Sequence, residues 1–440
     1  MRRARLLGVA VAAAIAIAGC GGSGGSGPSG SAVAKAPPAP VTHGHVNITV
    51  WEGYTGPEAH AIKVLAAEFN KTHPHITVTP QFYGNSDYAL QKVLAAIAGG
   101  KPPDISYLYG SWAANIASTS KLVPLTNWLR EDKSFGWDRF YPFERRVATV
   151  NGKVVGVPAL VDNLALVWNK TLFEQAGLSA PTPNWTWSDM KRAALKLTDP
   201  AKKQFGWAYV NDASEDTVWR FWAMLWQAGG HILTPNGKKA AFDSPAGVTA
   251  LTYLQSLAQH KAIYLDNGSD SYLGLFNAGH IGMLWTGPWD LGQISASKVK
   301  YGVTILPGDK NHQTISGPDN WVMFNNGSQR VAASWEWLKW FTSAKVDLKW
   351  CQMTGDLPIR SDVASLPGYP SYVKRYPGID VWVKNLRNSK QNRPVLTVYP
   401  KISTAVGQAV QGVLLGKYQP KQALQQAAQT TNGLLSAPQG

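Results

Sequence analysis

Apolar and polar residues alternate from Val46 to Trp51, which predicts a strand. Glu58 to Asn70 then places Ile62, Leu65, Ala66 and Phe69 at the spacing of one helix face. His75 to Phe82 reads as a second strand, with Pro80 marking an edge or an end. Tyr88 to Ala98 predicts a helix closed by Gly99-Gly100, and Pro103 to Leu108 a third strand. Strands and helices in this alternation predict a mostly parallel sheet with helices packed on it.

Val154 to Val157 is a short apolar run, interrupted at Pro158 and Asp162-Asn163 and resumed from Leu164 to Trp168. An extended segment broken by Pro has the form of a connection between two lobes. Further helices are predicted over Phe173–Gly177, Trp187–Leu197, Asp216–Ala228 and Ser244–His260, and strands over Phe205–Tyr209, Tyr301–Leu306 and Trp321–Phe324. Ala332 to Phe341 predicts a buried helix, and Ile402–Leu415 and Gln422–Leu435 two amphipathic ones.

The stretch Gly279 to Asp290 organises the remainder. Ile281 to Trp285 is apolar and of strand length, and it stops at Thr286-Gly287-Pro288. Pro288 lacks an N–H and suits the first turn of a helix, so Trp289 and Asp290 open one. That places an indole at the end of a sheet, where open α/β folds bind ligands. Such a ring is a platform for the apolar face of a sugar, whose hydroxyl edge needs hydrogen bonds. The competing reading makes Trp289 a core residue.

Composition adds an address. The chain has 440 residues, 45% hydrophobic and 16% charged, which describes a globular protein of two or three domain-sized units. Arg2, Arg3 and Arg5 precede an apolar Leu6–Ala18 that is too short to span a bilayer, so residues 1–19 read as a signal peptide. It ends Ile17-Ala18-Gly19-Cys20, which resembles the bacterial lipobox and implies cleavage before Cys20 and lipid on its thiol. Gly21 to Pro40 is dominated by Gly, Ser, Ala and Pro, a flexible tether that carries the chain to residue 45. Lipid plus tether predicts a protein held at a membrane surface. Only Cys351 is left, so no internal disulfide forms, and its Trp-rich surroundings predict burial. The formal charge is +15; without the three signal-peptide Arg it is 15 − 3 = +12. No basic run interleaved with aromatics points to nucleic acid.

Few chemistries are signalled. The nine His are dispersed without metal-ligand spacing, so neither metal nor cofactor is expected. There is no Walker-type loop, and no Gly-Xaa-Ser-Xaa-Gly in the folded region. Glu52, Asp104, Asp162 and Asp290 are candidates for the paired carboxylates of a glycosidase. Loops after the first three strands share one sheet edge, which makes Trp51, Glu52, Tyr83, Tyr109 and Ser111 candidate wall residues; Trp285 joins this aromatic set. Trp219, Trp222 and Trp226 lie on one helix face, a core pattern for the latter two. Asn320 and Trp321, after Ser316-Gly317, could reach a cleft, and Tyr399 is a further candidate.

Several of these segments, in order, resemble a known family. They are the strand ending in Trp51, Ala66-Ala67-Glu68-Phe69-Asn70-Lys71, Ile76-Thr77-Val78, Gly100-Lys101-Pro102-Pro103-Asp104-Ile105, Asn151–Pro158 leading to Leu166–Phe173, Phe276–His280 with the following Gly-Pro-Trp, and Gly355–Arg360. Together, over Val46 to Ala428, they are similar to extracellular solute-binding family 1, the carbohydrate-binding subunits of bacterial ABC importers, to which maltose-binding protein belongs. The resemblance implies a periplasmic-binding-protein-like α/β fold: two α/β lobes joined by a hinge of three crossings, with the ligand cleft between them. The crossings fall near Pro158–Asp162, Ser316–Pro318 and Pro358–Ser361. Lobe I would comprise 46–158 and 318–360, and lobe II 159–317 and 361–440. It implies a monomeric, non-enzymatic lipoprotein that delivers a mono- or oligosaccharide to a permease. It also implies that Asp162 accepts hydrogen bonds from sugar hydroxyls, that Trp219 and Trp289 are aromatic contacts, with Gly287 and Asp290 beside the latter, and that Arg360 lies at the cleft or in a hinge salt bridge. Two other readings stand beside it: a cell-surface glycoside hydrolase, and a binding protein for a glycerophosphodiester or other anionic solute, which the positive charge would suit.

Overall fold

The computed structural model describes residues 36–84 and 88–437. The signal peptide, Cys20 and most of the tether lie outside these residues. Among the described residues, no helix is long and apolar enough to cross a membrane.

Two five-stranded mixed sheets organise the chain. The first is built from β1 (Val46–Glu52), β2 (Ile76–Phe82), β3 (Ile105–Tyr109), β6 (Val157–Leu160) and β12 (Asp319–Met323), in the order β2-β1-β3-β12-β6. A hairpin of β4 (Thr149–Val150) and β5 (Lys153–Val154) precedes β6. The second sheet contains β7 (Ala165–Asn169), β8 (Phe205–Val210), β9 (Ile263–Asp266), β10 (Ile281–Thr286) and β11 (Tyr301–Thr304), in the order β11-β7-β10-β8-β9.

The alternation of strand and helix up to β3 yields the expected parallel pairs, β1 with β2 and with β3. The sheet is less parallel than the pattern implies, because β12 runs antiparallel to both β3 and β6. β12 returns from the other half of the molecule, and no local pattern encodes its direction. The second sheet repeats this logic: β10-β8-β9 are parallel, and β7 and β11 antiparallel. Pro158 lies inside β6 opposite Asn320, so the first sheet extends to Leu160.

Each sheet has an aromatic-rich core. Trp321 is buried with Tyr54, Tyr107 and Phe341 around its ring, beneath helices Ser328–Phe341 and Ala344–Thr354. Cys351 is free and buried, and its thiol contacts the Asp347 carboxylate. In the second half Trp222 and Trp226 of helix Glu215–Gln227 are buried in one core with Trp207 of β8 and Trp285 of β10. On this sheet Gly206 lets β8 lie close against helix Trp187–Leu197: a Cβ added there would meet the Ala194 carbonyl oxygen at 2.1 Å.

Three passages of chain link the sheets. The first, between β6 and β7, and the second, before β12, are stitched together. Ser316 Oγ donates to the Asp162 carbonyl at 2.6 Å, Gly317 N–H to Asp162 Oδ1 at 2.7 Å and Thr314 Oγ1 to the Leu164 carbonyl at 2.7 Å. The third follows Ala344–Thr354. Asn385 there donates to Asn163 Oδ1 at 2.8 Å, and Asn163 donates to the Trp382 carbonyl at 3.0 Å. The chain ends in helices Tyr399–Leu414 and Pro420–Ser436, which pack beside Glu215–Gln227 and Pro245–Gln259.

Candidate functional site

A cavity of about 290 Å³ opens between the two sheets at the ends of their strands. Its first wall comes from the loop after β1 (Gly53, Tyr54, Thr55), Phe82 at the end of β2, Tyr107 and Tyr109 of β3, Leu160 of β6 and Asp319 of β12. The pairing register explains three of these. Asp319 is opposite both Tyr109 and Leu160, so β12 sets its carboxylate in the row that ends the sheet. Tyr107 Oη donates to Asp319 Oδ2 at 2.5 Å and Gly110 N–H to Oδ1 at 3.3 Å.

The second wall comes from helix starts. Glu215 and Asp216 are in the first turn of Glu215–Gln227, where Ser214 caps the helix by accepting from Asp216 N–H at 3.1 Å. Trp219 lies one turn on. Pro288–Asp290 forms a 3₁₀ turn that runs into helix Leu291–Ala296, as Pro at the first helical position predicts. Helix N-termini carry partial positive charge, which favours carboxylates there.

Trp289 is half-buried and faces the cavity, its ring centroid 5.7 Å from that of Trp219 with the planes tilted by 54°. Its indole lies flat on Gly287: an added Cβ there would sit 1.9 Å from Cζ3. Gly287 therefore seats the ring rather than lining the cavity. Gly287→Ala is expected to displace the indole and lower ligand affinity roughly tenfold, which calorimetry checks; unchanged affinity would mean the ring is not a contact.

The structure brings Tyr109, Asp162, Trp219, Trp289 and Asp290 to the cavity. It places the other candidates elsewhere. Trp285 and Trp321 are core residues, 1% and 0% exposed, because β10 and β12 are inner strands buried along their whole length. Glu52 is buried at the end of β1, where its Oε2 accepts from Tyr54 N–H at 2.8 Å and shapes the loop. Trp51 and Tyr83 pack on each other outside the cavity, with centroids 6.1 Å apart. Ser111 and Asn320 are buried behind the wall. Arg360 is paired with Asp362 at 2.7 Å and donates to the Phe135 carbonyl at 3.0 Å, a salt bridge within the first half. Tyr399 stands behind the wall, donating to Glu215 Oε1 at 2.8 Å. Asp104, a candidate carboxylate by sequence, instead ties Thr49 N–H to Arg330.

Residues absent from the sequence reading complete the site: Glu58, Glu215, Asp216, Asp319, Tyr272 and Arg393. One signal was available for Asp319. It follows Gly317-Pro318 much as Asp290 follows Gly287-Pro288 with one residue between. Arg393 lies in an irregular segment and reaches Glu215 Oε1 at 2.8 Å.

Burial dominates the electrostatics. It raises the Asp290 carboxyl to about 7 against the hydroxyl donors Thr286 and Tyr272. It raises Asp319 to about 7 against the charge of Arg393 and the Tyr107 hydroxyl. Burial, then the charge of Asp319, raises Asp162. Burial, then the neighbouring Asp356, raises Glu58, and Asp356 itself is raised by burial to about 6. These groups hold a proton in the folded chain over a range where the unfolded chain, with carboxyls near ~4, has lost it. Stability is therefore present at low pH and lost as pH rises through about 6–7. The unliganded protein is expected to melt at a higher temperature at pH 5 than at pH 8 by scanning calorimetry. The reverse order would show these carboxyls ionised throughout.

The bacterial extracellular solute-binding protein family matches residues 55–347. An ABC-transporter solute-binding protein from Thermotoga lettingae, solved with α-D-tagatose, is 27% identical; the match covers 89% of this chain and 100% of that one, with a TM-score of 0.79. The cyclic α-maltosyl-1,6-maltose-binding protein of Arthrobacter globiformis is 26% identical, covering 89% and 99%, with a TM-score of 0.72. The sn-glycerol-3-phosphate-binding periplasmic protein of Pectobacterium atrosepticum is 24% identical over 408 residues, 88% of this chain and 91% of its own length.

Proposed function

The chain belongs to the bacterial extracellular solute-binding family, and on that premise we propose that it captures a small carbohydrate or polyol between its two lobes and delivers it to an ABC permease. It is an ABC-transporter solute-binding protein, and such a protein holds its ligand without altering it. The cavity carboxylates then serve as hydrogen-bond acceptors, not as the acid and base of a hydrolase.

One observation carries the carbohydrate reading: the tilted pair Trp219 and Trp289 lies in the same cavity as Asp162, Asp290 and Asp319. Indole faces suit the C–H face of a sugar ring, and carboxylates accept from adjacent hydroxyls. Tyr109, Asp162, Trp219, Trp289 and Asp290 are the contacts we assign. A cavity of about 290 Å³ is at the lower end for small-molecule sites, which suits a short ligand. Closure about the stitched hinge around Asp162 and Gly317 is the conformational output. Cys20, lipidated after cleavage, would hold the protein at the outer face of the cell membrane as a monomer.

A phosphate-bearing ligand, as in the Pectobacterium relative's name, meets an unfavourable wall, since acidic side chains outnumber basic ones there. The test is a panel of D-tagatose, ribitol, maltose, cyclic α-maltosyl-1,6-maltose and sn-glycerol 3-phosphate, read by thermal shift and calorimetry. At least one sugar or polyol is expected to raise the melting temperature, as preferential binding to the folded state requires. A response to sn-glycerol 3-phosphate alone, or to nothing, sinks this reading.

A further inference from the structure

The cavity's charge is opposite to that of the chain. The protein has 42 Lys and Arg against 27 Asp and Glu, yet among the described residues seven carboxylates and a single guanidinium line the cavity. Two of the seven are neutralised: Glu215 by Arg393 and Asp216 by the buried Arg220. Glu58, Asp162, Asp290 and Asp319, together with Asp270 at the exposed rim, make no ion pair among the described residues.

Their donors are neutral. Asp162 accepts from Gly317 N–H, Asp290 from the Tyr272 and Thr286 hydroxyls, and Asp319 from the Tyr107 hydroxyl and Gly110 N–H. Such bonds orient a carboxylate without cancelling its charge. The helix starts beside Glu58 and Asp290 supply about half a unit of positive charge each, less than the carboxylates present. Burial raises all four acids, so without a ligand protons occupy positions that a bound cation would take over.

Two independent features point to an organic cation. The walls between the acids are aromatic, with Trp289, Trp219, Tyr272 and Tyr109 lining the same space, and ring faces attract ammonium groups. The Tyr54 hydroxyl, on a residue 4% exposed that lines the cavity, has no hydrogen-bond partner among the described residues. A metal ion is disfavoured, because no group of three or more acidic, His or Cys residues among those described converges to hold one. The acids are spread around the wall, an arrangement matched to a ligand with several polar positions.

We propose that the ligand is a polyhydroxylated molecule carrying a protonated amine, an amino sugar or amino-polyol with its ammonium group free. This narrows the carbohydrate reading above and rests on it. The ammonium has three N–H donors and a full positive charge for carboxylates that otherwise receive only neutral donors. The ring's C–H face stacks on the indoles. Acetylating the amine removes the charge and adds a bulky amide at the same point, so affinity falls twice over.

Matched trios differing only at that group test this with the mature chain at pH 7 by calorimetry. One trio is D-glucosamine, N-acetyl-D-glucosamine and D-glucose. The other is the glucosamine β-1,4 disaccharide, its di-N-acetyl form and cellobiose. In at least one trio the free amine is expected to bind at least tenfold tighter than both neutral members. Asp319→Asn is expected to reduce that ratio several-fold while melting within a few degrees of the parent. Asp290→Asn provides the same reading if Asp319→Asn does not fold. Neutral members that bind as tightly as the amines, or a neutral sugar from the wider panel that outbinds every amine, overturn the ammonium assignment and leave the carbohydrate reading intact. Silence from both trios and from the wider panel overturns both.

Discussion

Trp289→Ala is expected to weaken ligand binding by about 2–4 kcal/mol, roughly 30- to 1000-fold, with little change in the melting temperature of the unliganded protein. The argument is geometric. The indole is half-buried, seated on Gly287 and tilted against Trp219, so most of its free face belongs to the cavity. Truncation therefore removes ligand contact more than core packing. Trp289→Phe keeps a flat face and should lose less. Calorimetry with whichever sugar or polyol gives the largest thermal shift is the measurement. A loss under threefold would move the stacking platform elsewhere, with Trp219 the next residue to test.

Arg393→Met is expected to have the largest effect on stability, about 3–5 kcal/mol, because it leaves a buried carboxylate unpaired. Arg393 and Glu215 are each 6% exposed in their side chains and meet at 2.8 Å. Among the described residues Glu215 would retain the Tyr399 and Ser403 hydroxyls. Arg393 also anchors an irregular stretch of chain against helix Glu215–Gln227, so its loss loosens one cavity wall. The melting temperature should fall by several degrees, and adding Glu215→Gln should recover part of the loss, since the double variant buries no orphan charge. A single variant as stable as the parent would show the pair to be solvated in solution.

The aromatic positions show how far the chain can be read from its letters. Trp285 and Trp289 are four residues apart and chemically identical, and both are candidates for the site by sequence. Trp285 belongs to β10, whose neighbours Trp207 and Arg220 cover it, while Trp289 follows the Gly287-Pro288 turn and emerges at the sheet's end. The turn chemistry is visible in the sequence; the burial of Trp285 depends on β8 lying alongside. Trp321 is misplaced by sequence for the same reason, since its strand is covered by two helices that follow it in the chain. Arg360 forms its salt bridge with Asp362, only two residues away.

The acidic wall is almost illegible in the sequence. Glu58, Glu215 and Asp290 each open a helix, where an acidic residue is ordinary capping chemistry and draws no notice. Their common destination depends on β12 slotting between β3 and β6, a pairing that sets Asp319 opposite Tyr109. Periodicity, turn residues and the Pro-first helix starts are properties of neighbouring residues, so the chain by itself determined its strands, most of its helices and its two-lobed α/β class. Which carboxylates share one cavity, and with what charge balance, was decided by contacts between residues hundreds of positions apart. Those follow from strand direction and register across the whole fold, and no short window of sequence contains them.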